Sequence, residues 1–128
     1  KGHIPEKDGI LANLLIMEMI AYSGKKLFEI HQEFIKELNR SFINKRIDLK
    51  LATSHEQEKI INKYKTLKEI GTYKIIKTSQ LDGFKLYLDD GSWILVRKSG
   101  TEPLLRIYFE TDKEEKSNEL EGIIKQLC

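Results

Sequence analysis

The sequence predicts an α+β protein in two parts: an N-terminal αα-hairpin, then a β-α-β-β-β-α domain with an antiparallel sheet and its helices on one face. Three observations predict it. Apolar residues keep helical spacing through residues 10–38. From Ile47 onward, apolar and polar residues alternate with period two in several short runs. Between those runs stand Asp82-Gly83 and Asp90-Gly91, dipeptides that favour tight hairpins.

Residues 1–7 show no periodicity and contain Pro5, so they read as an extended arm. Asp8 is a candidate N-cap, its carboxylate placed to accept an unpaired backbone N–H of the first turn. Ile10, Leu11, Leu14, Leu15, Met17 and Met19 are too densely apolar for a surface helix, and the helix is expected to be buried around much of its circumference. Ser23-Gly24 stops it. Leu27, Ile30, Phe34, Ile35 and Leu38 form the stripe of a second helix. A short polar stretch, residues 39–45, is expected to link the two parts as a hinge.

In the second part Ile47, Leu49 and Leu51 alternate with Arg46, Asp48 and Lys50, the pattern of a half-buried strand. Thr53 and Glu56 have the spacing of a capping box, and the helix that follows puts Ile60, Ile61, Tyr64 and Leu67 on one face. Gly71 breaks it. Strands are expected at residues 73–78, 84–88, 93–96 and 105–109. Thr111 and Glu114 suggest a second capping box before a helix lined by Leu120, Ile123, Ile124 and Leu127. The expected division is 1–43 and 44–128. The second part can close its own core. The first cannot, and together with the initial Lys1 this suggests the end of a preceding domain in a fragment of a longer chain.

Composition narrows the function. In 128 residues, 22 basic side chains face 20 acidic ones, a net charge of +2, which gives no strong field for nucleic acid. No aromatic platform for bases is evident. The single cysteine, Cys128, precludes an internal disulfide and suits a reducing cytoplasm. The apolar run at residues 10–22 is broken by Asn13 and Glu18 and is too short to span a bilayer. His31 and His55 read as exposed helix residues. No carboxylate triplet has metal-ligand spacing, so no metal site is expected in this chain.

The chemistry concentrates in Arg97-Lys98-Ser99-Gly100-Thr101-Glu102-Pro103, held between two predicted strands. Arg97 offers a planar fork of donors and a permanent charge, matched to an anionic tetrahedron. Ser99 and Thr101 offer hydroxyls. Gly100 is expected to let the backbone approach an anion and to take dihedrals other residues avoid. Glu102 and Pro103 shape the loop. Lys98 and Arg106 are supporting cations, Arg106 only if its strand turns it inward.

This string, with Leu104-Leu105-Arg106-Ile107-Tyr108 after it, resembles the phosphate-binding loop of the α-D-phosphohexomutases, the family of phosphoglucomutase, phosphomannomutase and phosphoglucosamine mutase. Lys1-Gly2-His3-Ile4-Pro5-Glu6-Lys7-Asp8-Gly9-Ile10 is similar to the segment after the sugar-binding loop of that family's third domain. The resemblance covers nearly all of this chain but only the end of a complete enzyme. Thr53-Ser54-His55 is similar to the family's catalytic phosphoserine loop, but Glu56-Gln57 follow where the family has Asn-Pro, and a helix cap explains them better.

The resemblance implies that residues 1–43 close a sugar-binding domain and that 44–128 form the C-terminal phosphate-binding domain. Lys1 and His3 would neighbour the sugar site, and Arg97, Ser99, Gly100 and Thr101 would grip phosphate. It implies an isomerase whose earlier domains carry a phosphoserine and Mg²⁺. That enzyme phosphorylates a hexose monophosphate, turns the bisphosphate over, and takes the other phosphate back, moving it between the 1 and 6 positions. This loop would hold whichever phosphate is not reacting, and the fragment alone would be inactive. The implied partners are a hexose phosphate and the upstream domains, with no nucleic acid or membrane. Glucose and mannose phosphates lead as substrates. A phosphoglucosamine mutase fragment and a non-catalytic anion-binding module are the alternatives.

Overall fold

The computed structural model describes residues 7–100 and 102–128; the expectations placed on Lys1, His3 and Thr101 lie outside the described residues. The chain divides into two units, Lys1–Arg40 and Ser41–Cys128. The first contains α1, Gly9–Ser23, and α2, Leu27–Leu38. The Asp8 carboxylate accepts the Leu11 N–H at 2.8 Å, the expected cap. Lys25 ion-pairs with Glu33 at 2.6 Å.

Neither helix buries a residue. Leu14 is 55% exposed and Met17 65%. Burial around most of α1 was the expectation from its composition, and the chain does not meet it. Two short helices lack the apolar area to enclose a core, so the predicted hairpin is two helices joined by a turn.

The second unit runs β1 (Ile43–Lys50), α3 (Ser54–Thr66), β2 (Glu69–Ile70), β3 (Tyr73–Ser79), β4 (Phe84–Leu88), β5 (Trp93–Lys98), β6 (Leu104–Thr111) and α4 (Glu114–Leu127). Its strands form one antiparallel sheet in the order β1-β6-β5-β4-β3-β2. This is the predicted α+β class with more strands. Five strands lie between α3 and α4: the four runs expected as strands, which the β-α-β-β-β-α order had reduced to three, and β2. The runs at β3, β4, β5 and β6 are each a separate strand, and β2 is two residues long, too short to show a period. The expected linker is also shorter, because β1 begins at Ile43 and Lys45 is tied to α4 through Asn118, Glu114 and Glu121.

Alternation explains the layers. Phe84, Leu86, Leu88, Ile94, Val96, Leu105, Ile107 and Phe109 are buried and join Ile60 and Tyr64 of α3 and Leu120 and Ile124 of α4 in one core. Both helices therefore cover the same sheet face. Each such side chain contributes about 1.5–3 kcal/mol of transfer energy. Thr53 and Glu56 form the predicted capping box, with Glu56 N–H donating to Thr53 Oγ1 at 3.2 Å and Thr53 N–H to Glu56 Oε2 at 3.0 Å. The second predicted box does not form. β6 extends through Thr111, whose hydroxyl donates to the Lys113 carbonyl at 2.9 Å, and α4 starts at Glu114. Pairing with β1 along its whole length keeps Thr111 in the sheet.

Candidate functional site

The loop after β5 is held as predicted between two paired strands. The register sets Arg97 opposite Arg106 and Lys98 opposite Leu105. Because Ile94, Val96, Leu105 and Ile107 face the helices, alternation sends Arg97 and Arg106 together to the opposite, open face. Two like charges directly opposite repel. Each is offset by its own carboxylate: Arg97 Nη1 donates to Asp82 Oδ2 at 2.6 Å, and Arg106 Nη2 to Glu102 Oε2 at 2.6 Å. Lys98 Nζ reaches Glu58 of α3 at 3.0 Å, and that hydrogen bond holds the Glu58 carboxyl below its ordinary range.

The backbone is partly committed. Ser99 N–H donates to the Leu104 carbonyl at 2.8 Å, and Leu104 N–H to the Glu102 carbonyl at 2.7 Å. The Ser99 amide therefore serves the loop itself and not an incoming anion. Gly100 does not take a left-handed φ, contrary to the dihedrals expected of it, and a Cβ there would meet nothing within 4 Å of protein. The glycine that allows close approach is Gly83 in the β3–β4 turn. Its φ is +89°, and a Cβ there would lie 2.6 Å from the Val96 carbonyl oxygen and 2.6 Å from Arg97 Cβ. The turn is thus pressed against the strand that carries Arg97.

Three donors at this junction are buried and lack a partner among the described residues: Arg97 Nε, Ser99 Oγ and Arg106 Nε. Buried polar atoms are rarely left so, and three on consecutive strands and their loop mark a place where an acceptor belongs. A cleft of about 370 Å³ borders Arg97 but neither Ser99 nor Arg106; Lys65, Lys98, Asp82, Gly83, Phe84 and Val96 also line it. A larger cleft, about 630 Å³, lies between α3 and the end of α4 and takes no residue from the loop.

Sequence reading missed Asp82 as part of the site, since Asp82-Gly83 signals only a turn and the pairing to Arg97 depends on how β4 is laid beside β5. It also missed the aromatic side chains of the open face, Tyr87, Trp93 and Tyr108, which are scattered in sequence and aligned by register. Lysines already lie over two of these rings, Lys85 Nζ 3.7 Å from the centre of Trp93 and Lys77 Nζ 5.4 Å from that of Tyr87, while the Trp93 indole donates to Glu110. His31 and His55 are exposed.

Residues 47–126 match the family model described as the phosphoglucomutase/phosphomannomutase C-terminal domain. The chain belongs to this family. It is 39% identical over 113 residues to a phosphoglucomutase/phosphomannomutase of Thermococcus kodakarensis, covering 88% of this chain and 22% of that protein. Identity is 31% over 113 residues to a phosphoglucosamine mutase of Methanocaldococcus jannaschii, covering 88% and 23%. It is 30% over 121 residues to a phosphoglucosamine/phosphogalactosamine mutase of Sulfurisphaera tokodaii, covering 94% and 25%. The chain thus spans a quarter or less of the length of these relatives, which are mutases of the phosphohexomutase family. The family match contains the whole strand–loop–strand unit described above. Among the described residues, no group of three or more His, Cys, Asp or Glu side chains could hold a metal ion, and no helix is long and apolar enough to cross a membrane.

Proposed function

We propose that this chain is the C-terminal part of a phosphoglucomutase or phosphomannomutase, a cytoplasmic isomerase, and that residues 97–103 seat the phosphate of a hexose phosphate that is not being transferred. The observation that carries the reading is the paired Arg97 and Arg106 on one face, with the Nε of each and the Ser99 hydroxyl of the loop between their strands buried without a partner among the described residues. Two guanidiniums and a hydroxyl suit a dianionic tetrahedron better than a neutral ligand. Arg97, Ser99, Gly100 and Thr101 would hold the phosphate, with Arg106 and Lys98 adding charge. Gripping the remote phosphate positions the reacting end of the sugar and excludes water around it.

On this reading the apolar α1 and α2 complete the preceding, sugar-binding domain, whose remaining surface covers the residues left exposed here. The nucleophile and the Mg²⁺ come from outside this chain, so no step assigned to these residues runs through a metal. A phosphoglucosamine mutase fits about equally, because relatives with that name match over the same stretch. The loop meets phosphate and not the sugar, so it does not choose between them. A non-catalytic anion-binding module would use the same loop without chemistry.

The test has two parts. Coupled assays of the full-length protein on glucose, mannose and glucosamine 1-phosphates identify the substrate, and turnover of none of them leaves only the module. In the same protein Arg97→Ala should weaken transition-state binding by about 2–4 kcal/mol, the cost of losing a charge-assisted pair from a shielded site. Unchanged kcat/KM would remove Arg97 from the site.

A further inference from the structure

Asp82 is a puzzle for an anion site. Among the described residues it is the sole acid lining the cleft that borders Arg97, with Lys65 and Lys98, and its carboxylate stands 2.6 Å from the guanidinium that would meet the phosphate. Its charge opposes an incoming anion. Its geometry does something else. It engages Arg97 through Nη1 alone, leaving the Nε side of the guanidinium, where a planar fork meets two oxygens, without a partner. It is also fixed in place, because Gly83 beside it is packed against Val96 and Arg97 so closely that no side chain would fit.

We propose that Asp82 is a positioning residue: it holds one nitrogen of Arg97 so that the opposite edge already keeps one orientation when phosphate arrives. The inference rests on the phosphate reading of the loop and adds to it a residue outside the loop. A long side chain that must be ordered on binding costs affinity, and one held beforehand does not. The carboxylate's repulsion is the smaller effect because Asp82 is well exposed and its field is screened, whereas the order it imposes on Arg97 is local.

The experiment is an NMR titration of the 128-residue chain with inorganic phosphate, following the Ser99 and Gly100 amides and the Arg97 Nε–H signal. Asp82→Asn should weaken phosphate binding about three- to tenfold, the size expected for ordering one rotamer-rich side chain. The urea midpoint should stay near that of the wild type. Asp82→Ser repeats the test should Asn disturb the turn. On an Arg97→Lys background the effect of Asp82→Asn should disappear, because the brace acts through the guanidinium. Unchanged or tighter binding in Asp82→Asn overturns the proposal and makes the carboxylate a competitor of phosphate. Wild-type loop signals that phosphate does not move overturn the phosphate reading itself, and the brace falls with it.

Discussion

Gly83→Ala joins the fold to the site and can be worked from the structure. Gly83 sits at φ +89°, outside the range that residues with a side chain normally adopt. Forcing an L-residue there costs about 1–2 kcal/mol. The new Cβ would stand 2.6 Å from the Val96 carbonyl oxygen and from Arg97 Cβ, and both belong to a paired strand that yields little. Relieving such a contact costs about another 1–3 kcal/mol. The stiffer unfolded chain returns at most about 1 kcal/mol. The expected net loss is about 1–5 kcal/mol, a fall in Tm of at least about 4 °C for a unit of this size. Trp93, the only tryptophan, lies in the unit concerned, so its fluorescence through a urea series reports the loss directly. Gly100→Ala is the internal control. With ordinary φ and open space around it, it should change stability by less than about 0.5 kcal/mol. Equal effects of the two substitutions, or a Gly83→Ala midpoint at the wild-type value, would refute the close packing of this turn on β5.

Three further outcomes are expected. Thr53→Ala removes the hydroxyl that accepts the Glu56 N–H and should cost about 1 kcal/mol of urea-measured stability, with Thr53→Ser restoring most of it. Asp90 is partly buried, which disfavours its charge, but the Ser92 N–H and hydroxyl and the Lys116 ammonium at 3.0 Å outweigh burial and hold its carboxyl below the ordinary range. A lowered carboxylate stabilises above the unfolded value and loses that contribution as pH falls through the folded one, so Asp90→Asn should cost about 1–2 kcal/mol at neutral pH and progressively less as pH falls below about 4. Tyr64 is fully buried, and burial, with the Cys128 thiol beside its hydroxyl, pushes its ionisation well up. Its neutral form therefore stabilises at neutral pH and is lost as pH rises beyond about 10; Tyr64→Phe should match or exceed wild-type stability and lack that alkaline fall.

Where a local rule decides a feature, the sequence was enough to read it. The Asp8 cap, the Thr53–Glu56 box, the Asp90-Gly91 hairpin and the alternating strands all follow from neighbours within a few residues. Two failures share one cause. Thr111 has the chemistry of a helix cap, yet it is drawn into β6 because β1 pairs along the whole of that strand. Glu69–Ile70 is a strand only because β3 lies beside it. Local chemistry proposes in both cases and a distant partner decides.

The candidate site shows the same limit at higher stakes. The loop's own residues suggest an anion, and the family match spans the loop. The sequence does not show that Arg97 and Arg106 stand opposite each other, that Asp82 and Glu102 each neutralise one of them, or that Gly83 is the glycine under constraint. Those facts need the register of β5 on β6 and the lie of the β3–β4 turn across β5. Two guanidiniums forced side by side are a cost to the fold, and each has a single carboxylate contact that leaves its Nε unpartnered. Placing one dianion between the arginines would relieve the repulsion and supply the missing acceptors together. The isolated chain should therefore gain stability on adding inorganic phosphate, by RT ln(1 + [L]/Kd) for a single site. Arg97→Ala should abolish that gain while leaving the phosphate-free urea midpoint within about 1 kcal/mol, since its ion pair is a surface one.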